Sequence, residues 1–182
     1  MFVLNQDYNI IDAKVPVLMR QPNGQFEFKD CCFLEFTVGA DEETMKKIIM
    51  ACRPFNFTAA VELAISKNRF SENKERLFFL VGPDTVKNDF KNRDDFLALA
   101  LCSDGVQKTQ VQYFEVNYNF RHSYEPNQKY RRVGTSALNA LKKVYQTREL
   151  YGESALEAVK FWAKNGFTRI GESKQDLHWR QR

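Results

Sequence analysis

Residues 129–138, Lys-Tyr-Arg-Arg-Val-Gly-Thr-Ser-Ala-Leu, place three cations ahead of a glycine and the start of an amphipathic stretch. A cation-rich turn that feeds unpaired backbone N–H groups into a helix N-terminus can hold a pyrophosphate. Both the amides and the helix dipole favour negative charge there. Coenzyme binding is the leading expectation from these residues. A second feature lies upstream, on a run read as a strand over Thr109 to Phe120. There Phe114, Val116, Tyr118 and Phe120 share one face, while Tyr113, Glu115, Asn117 and Asn119 share the other. A polar face on an otherwise buried strand suggests a cleft.

The elements that position these groups follow from periodicity. Pro16 to Lys29 alternates around Gln21-Pro22-Asn23-Gly24, a turn signal between two short strands, so an N-terminal hairpin is expected. Phe33 to Val38 reads as a separate strand. Asp41 is placed to cap a helix to about Cys52, Pro54 ends it, and Thr58 to Ser66 forms a second helix before the polar stretch 67–75. Arg76 to Gly82 is a continuous apolar run of strand length, and Phe96 to Ser103 pairs with the strand that begins at Thr109. After the basic turn, Ala137, Leu138, Leu141, Val144 and Tyr145 have the spacing of a core-facing helix. A short strand over Arg148 to Glu153 follows. Ser154 and Glu157 form a capping box for a late helix that buries Ala158, Phe161 and Trp162, and Asn165-Gly166 caps its C-terminus. Two short strands, Phe167 to Gly171 and Asp176 to Arg180, close the chain.

Composition excludes several classes. With 182 residues and 43% hydrophobic content, the chain can bury one substantial core, and a single domain is expected. The net charge of +4 comes from interspersed cations and acids, so it permits a nucleic-acid partner without demanding one. The N-terminal residues lack a secretory pattern, and the longest apolar runs, Leu77 to Val81 and Phe96 to Cys102, fall far below the roughly 20 residues of a membrane helix. A cytoplasmic protein with no membrane partner is expected. Cys31, Cys32, Cys52 and Cys102 form no CxxC pair, and His122 and His178 lie far apart, so reduced thiols and no metal site are expected.

From Phe33 onward, the order of strand, two helices, three strands, helix, strand, helix and two strands resembles the GNAT N-acetyltransferase superfamily. Two motifs carry the resemblance. The family's acetyl-CoA signature is Gln or Arg, two residues, Gly, one residue, then Gly or Ala; Arg131, Gly134 and Ser136 fill those places, with Tyr130 and Arg132 fitting the aromatic and basic residues beside it. The second is a late helix ending in an aromatic pair followed by Gly-Phe, matched by residues 158–167.

The resemblance implies an α/β (α+β) fold: a mixed, mostly antiparallel central sheet flanked by helices. The hairpin, residues 1–32, would be an extra extension packed on the acetyltransferase-like domain, residues 33–182. It implies an acyl transfer from acetyl-CoA, used as cosubstrate without a metal, to a primary amine by direct attack in a ternary complex. The amine would belong to a small molecule or a peptide, and family habit favours a homodimer.

The implied site residues follow. The pyrophosphate would rest on Arg131, Arg132, Val133, Gly134, Thr135 and Ser136. The pantetheine arm would lie along the strand edge at Val116, Asn117 and Tyr118, beside Trp162, with a backbone N–H between Glu115 and Asn117 stabilising the oxyanion. Glu115 would be the base, with Tyr113 and Asn117 orienting substrate. Three positions depart from the family pattern. Ser136 adds bulk at the second small residue, Ala155 stands where an Asn is frequent, and Trp162 replaces the Tyr that protonates the departing thiolate. Indole has no accessible acid chemistry. Tyr151 is the alternative acid.

Two other classes compete. Trp162 and Ala155 would suit an acyl-CoA-binding sensor or interaction module without catalysis. Alternatively, the basic turn with Phe120, Tyr124 and Tyr130 could form a nucleic-acid surface. The acceptor would be set by residues 41–73, where Asp41, Glu42, Glu43 and Glu62 could attract a cationic amine.

Overall fold

The computed structural model describes residues 8–36, 75–87, 95–121, 127–172 and 175–180, with positions 43, 46, 49, 50, 52, 53 and 55. The chain folds as strands β1 (Tyr8–Arg20), β2 (Phe26–Phe36), β3 (Glu75–Val81), β4 (Phe96–Asp104), β5 (Lys108–Val116) and β6 (Tyr130–Arg131), followed by helix α1 (Val133–Val144). Strand β7 (Glu149–Glu153), helix α2 (Val159–Lys164), β8 (Thr168–Arg169) and β9 (Asp176–Trp179) complete it. The strands form one sheet in the order β6-β1-β2-β3-β4-β5-β7-β9-β8. Every pairing is antiparallel except β5 with β7.

Residues 77–81 and 96–102 are apolar without interruption because both faces of β3 and β4 are covered. On one face Phe33, Phe78, Leu80, Ala98 and Ala100 meet Ala137, Leu138 and Leu141 of α1. On the other, Leu34, Phe36, Leu77, Phe79, Leu99 and Leu101 pack with Cys52 and Phe55. Phe79 sits between Phe36 and Phe96 at centroid separations of 5.0 and 5.4 Å. Burying such a side chain stabilises by roughly 1.5–3 kcal/mol. Cys31, Cys52 and Cys102 are buried.

The hairpin turn falls where expected, with Gly24 at φ +82° and its N–H donating to the Gln21 carbonyl at 2.9 Å. The expected break before Phe33 does not occur. Phe26 to Phe36 is one strand, because β1 supplies ladder partners along its whole length and no Gly or Pro interrupts it. The hairpin therefore contributes two strands to the main sheet.

The expected strand from Thr109 to Phe120 is shorter. It stops at Val116, and Tyr118–Phe120 is a 3-10 turn. Asn117 causes the stop: its side chain accepts from the Asn119 N–H at 3.1 Å and donates to the Phe96 carbonyl at 2.9 Å, a local alternative to the ladder. Near the middle of β5 the register shifts, with Leu101 opposite Tyr113 but Cys102 opposite Val111, so Gln112 is the extra residue of a bulge.

The late helix also differs at its start. Residues 156–158 form a 3-10 turn behind Ala155, and the Ser154 hydroxyl donates to the Ala155 carbonyl, so the Ser154 capping box does not form. Its end is as expected: Gly166 at φ +84° lets the Gly166 and Phe167 N–H groups reach the Ala163 and Trp162 carbonyls. The described positions 43, 46, 49, 50 and 52 are helical. The second expected helix, Thr58 to Ser66, the loop after it, and His122 and Tyr124 lie outside the described residues.

Candidate functional site

The basic turn is built against the N-terminal hairpin. β6 pairs with β1 at Leu18 and Met19, and the Arg20 N–H donates to the Lys129 carbonyl at 2.8 Å. Tyr130 is buried, in edge contact with Phe120 at 5.2 Å, and burial, reinforced by Asp95, pushes its hydroxyl's pKa upward. Lys129 pairs with Asp95 at 3.0 Å. The Arg131 guanidinium lies 3.9 Å from the centre of the Phe26 ring, and its buried Nε makes no hydrogen bond.

Arg132 then adopts the left-handed region, φ 56° and ψ 21°, the positive φ among the described non-glycine residues. This sets the chain into α1 with no side chain capping it and no acid in its first turn. The first helical bond inside the turn runs from the Ser136 N–H to the Arg132 carbonyl at 3.0 Å. The amides of Val133, Gly134 and Thr135 precede it and have no intrahelical acceptor. A left-handed residue followed by helical ones gathers successive N–H groups into an anion-binding concavity. The arrangement, with Arg132 at its rim, fits a phosphate group.

Ser136 does not crowd that concavity. Its hydroxyl donates to the Pro16 carbonyl of β1 at 2.7 Å and ties the turn to the hairpin. Gly134 faces inward as well. A Cβ there would lie 3.1 Å from both Val116 Cγ2 and Phe161 Cε2, so the helix start is packed directly onto the end of β5.

The parallel ladder between β5 and β7 covers only 108–110 against 149–151. Beyond it, Gly152 allows a last close approach to the Val111 carbonyl, 2.6 Å from where a Cβ would stand. Residues 112–116 then continue without a β7 partner. Phe114 and Val116 belong to the α1 face, whereas Tyr113 and Glu115 lie opposite Leu101 and Leu99, on the other face. The opening between the strands thus joins the face that carries the basic turn to the face that carries Glu115.

Backbone direction at this edge is fixed by Asn117, whose N–H donates to the Leu97 carbonyl at 2.9 Å. Asn117 therefore cannot supply the oxyanion donor. By strand alternation the Glu115 N–H also points to β4, and the Val116 N–H points into the opening. Of the residues expected on the polar face, Asn117 is fully buried and Glu115 is 8% exposed, while Tyr113, at 38%, and Asn119 reach solvent. Glu115 forms an ion pair with Arg121, whose Nε also donates to the Val116 carbonyl at 2.9 Å. Burial lowers the Arg121 pKa.

Trp162 is 8% exposed and stands between Phe114 and Phe167 at 5.3 and 4.8 Å. Tyr118 is exposed in the 3-10 turn. Tyr151 pairs with Gln110, about 15 Å along β5 from Glu115 at roughly 3.3 Å per residue, so these two candidates are not brought together. Arg121 was missed in the sequence because nothing local announces a side chain that folds back five residues along the chain. Among the described residues, no group of three or more His, Cys, Asp or Glu could hold a metal ion, and no helix is long and apolar enough to cross a membrane.

A mostly antiparallel sheet with one parallel pairing, a left-handed entry into the helix that crosses between those two strands, and an opening beside it make up a GNAT-like fold. Among solved structures the chain is similar to Tetrahymena GCN5, at 14% identity and a TM-score of 0.52, over 79% of this chain and 92% of that one. It is also similar to the PaiA N-acetyltransferase of Thermoplasma acidophilum, solved in complex with coenzyme A, at 12% identity and a TM-score of 0.48, over 75% and 91% of the two chains. No protein-family model matches the chain, and no curated protein matches its sequence.

Proposed function

We propose that the protein is an N-acetyltransferase that moves an acetyl group from acetyl-CoA to a primary amine by direct attack in a ternary complex. The observation that carries this reading is the uncapped, left-handed entry into α1 at Arg132, set against the β5–β7 opening in a GNAT fold. The pyrophosphate rests on the amides of Val133 to Thr135, with Arg132 adding charge. The pantetheine arm passes through the opening along Phe114 to Val116. The Val116 N–H faces the acyl carbonyl; an oxyanion donor of this kind is worth roughly 3–4 kcal/mol of barrier. Glu115 accepts the amine proton, directly or through water, and solvent protonates the leaving thiolate, since Trp162 has no acid to offer. The amine acceptor is a small molecule or a peptide, in a protein that acts in the cytoplasm.

The hairpin of β1 and β2 acts as a support for the turn within this one domain. The nucleic-acid reading loses ground, because Lys129 is paired with Asp95, Arg131 is stacked on Phe26, and Tyr130 and Phe120 are core residues.

The aromatic packing of Trp162 and the Arg121–Glu115 pair favour a second reading, an acyl-CoA sensor without turnover. Both readings expect acetyl-CoA to stabilise the protein, by about 2.7 kcal/mol at a hundredfold excess over Kd. Free-thiol release with amino acids, polyamines, aminoglycosides and peptide N-termini separates them. Release with one acceptor class supports the transferase. Stabilisation with no release from any acceptor supports the sensor, and no stabilisation at all removes both.

A further inference from the structure

An added strand or amide-bearing arm needs acceptors on the edge it joins, and the carbonyls that face outward along β5 belong to alternate residues. Because the Asn117 N–H is committed to β4, Val116 is the last β5 residue whose backbone faces the opening. Its carbonyl is already engaged: Arg121 Nε donates to it at 2.9 Å. The same guanidinium holds the Glu115 carboxylate. One planar fork thus spans the strand edge and the carboxylate on the adjoining face, an arrangement only arginine's geometry permits.

Resting on the acyl-CoA reading, we infer that Arg121 gates the arm subsite: it occupies the Val116 carbonyl and restrains Glu115 until the coenzyme arm displaces it. The coenzyme amide takes over the carbonyl as Arg121 leaves, and the Arg121–Glu115 ion pair breaks in the same movement. Binding of the coenzyme and loss of that ion pair are then one event. The 3-10 turn at Tyr118–Phe120 is the pivot, anchored by Phe120 in the core while Arg121 lies at the surface.

Titration calorimetry with coenzyme A, at one ionic strength, tests this on wild type, Arg121→Ala, Arg121→Lys and Glu115→Gln. Freeing the carbonyl from a charge-assisted bond should tighten coenzyme A binding by about tenfold in Arg121→Ala. Arg121→Lys keeps the charge but cannot span both acceptors, so it shifts the same way and shows that the effect is not electrostatic attraction of the phosphates. Glu115→Gln, which removes the anchor, also tightens binding, and the double variant gains nothing beyond Arg121→Ala. Wild type that binds while Arg121→Ala binds equally or more weakly overturns the gate and leaves the acyl-CoA reading standing. Coenzyme A binding by none of the proteins overturns both.

Discussion

Gly134 is the residue of the turn whose replacement tests the packing account most directly. The resemblance implies that a pyrophosphate rests on this glycine and its neighbours, while the missing Cβ points at Phe161 and Val116, 3.1 Å from each. In Gly134→Ala, both neighbours must retreat by a few tenths of an ångström. Neither is free to: Phe161 is stacked on Phe114 at 5.9 Å and abuts Trp162 at 5.4 Å, and Val116 is held in the ladder opposite Ala98. Overpacking of this kind costs about 1–3 kcal/mol, and alanine's better helix propensity returns at most about 1 kcal/mol. The net expectation is a loss of about 1–2 kcal/mol, or a fall in Tm of roughly 2–8 °C for a chain of this size. Urea unfolding should show a lower midpoint at unchanged slope. A cycle with Phe161→Leu locates the cause. With the ring edge gone, Gly134→Ala should cost at least about 0.5 kcal/mol less, the size of coupling expected between residues in contact. A Gly134→Ala protein more stable than wild type, or zero coupling to Phe161, would refute the reasoning.

Other expectations follow from the same contacts. Ser136→Ala, losing its bond to the Pro16 carbonyl, should destabilise by about 1 kcal/mol in urea while leaving coenzyme A affinity within about twofold, because the hydroxyl points away from the turn's amides. Asn117→Ala removes two local bonds, one of them to the Phe96 carbonyl, so a loss of roughly 1–3 kcal/mol is expected by the same assay. Burial, then the neighbouring Cys32, raises the Cys31 pKa from 9.0 to about 12, and burial moves Cys102, Tyr130 and Tyr145 the same way. A folded-state pKa raised above the unfolded one gives stability that is full below pH 9 and lost as pH climbs toward 12. Each group then subtracts about 1.4 kcal/mol per pH unit within its window. The urea midpoint should fall steadily above pH 9, and Cys31→Ala should flatten that fall.

Much of the architecture was legible because local and global preferences agree. The apolar runs at 77–81 and 96–102, the Asn23-Gly24 turn and the Gly166 cap all form where their chemistry puts them. So does the helix behind the basic turn. What stayed hidden depends on partners distant in sequence. The continuity of Phe26 to Phe36 needs β1 alongside it, and the end of β5 depends on Asn117 finding the Phe96 carbonyl. Within the site, the position of the turn was readable from Arg131, Gly134 and Ser136. The destination of the Ser136 hydroxyl and the return of Arg121 onto Glu115 and Val116 were not, since periodicity carries no information about side chains that reach across the fold. The alternation that puts Tyr113 and Glu115 on one face was readable, whereas the burial of Glu115 and Asn117 was not.

The attachment of the turn to β1 has a kinetic consequence. Ser136 and Pro16 are 120 residues apart, and Leu18 pairs with Arg131 over a comparable span. The anion-binding concavity therefore cannot take its final shape through local folding of residues 129–138. Closing so long a loop is entropically costly, and contacts of this separation are slow to form. During synthesis the hairpin precedes the turn and must wait, its outer strand uncovered, until residues 37–131 have followed. Assembly of the turn is then a late step. The rate at which coenzyme A binding reappears during refolding should report that closure and lag behind recovery of the strand signal.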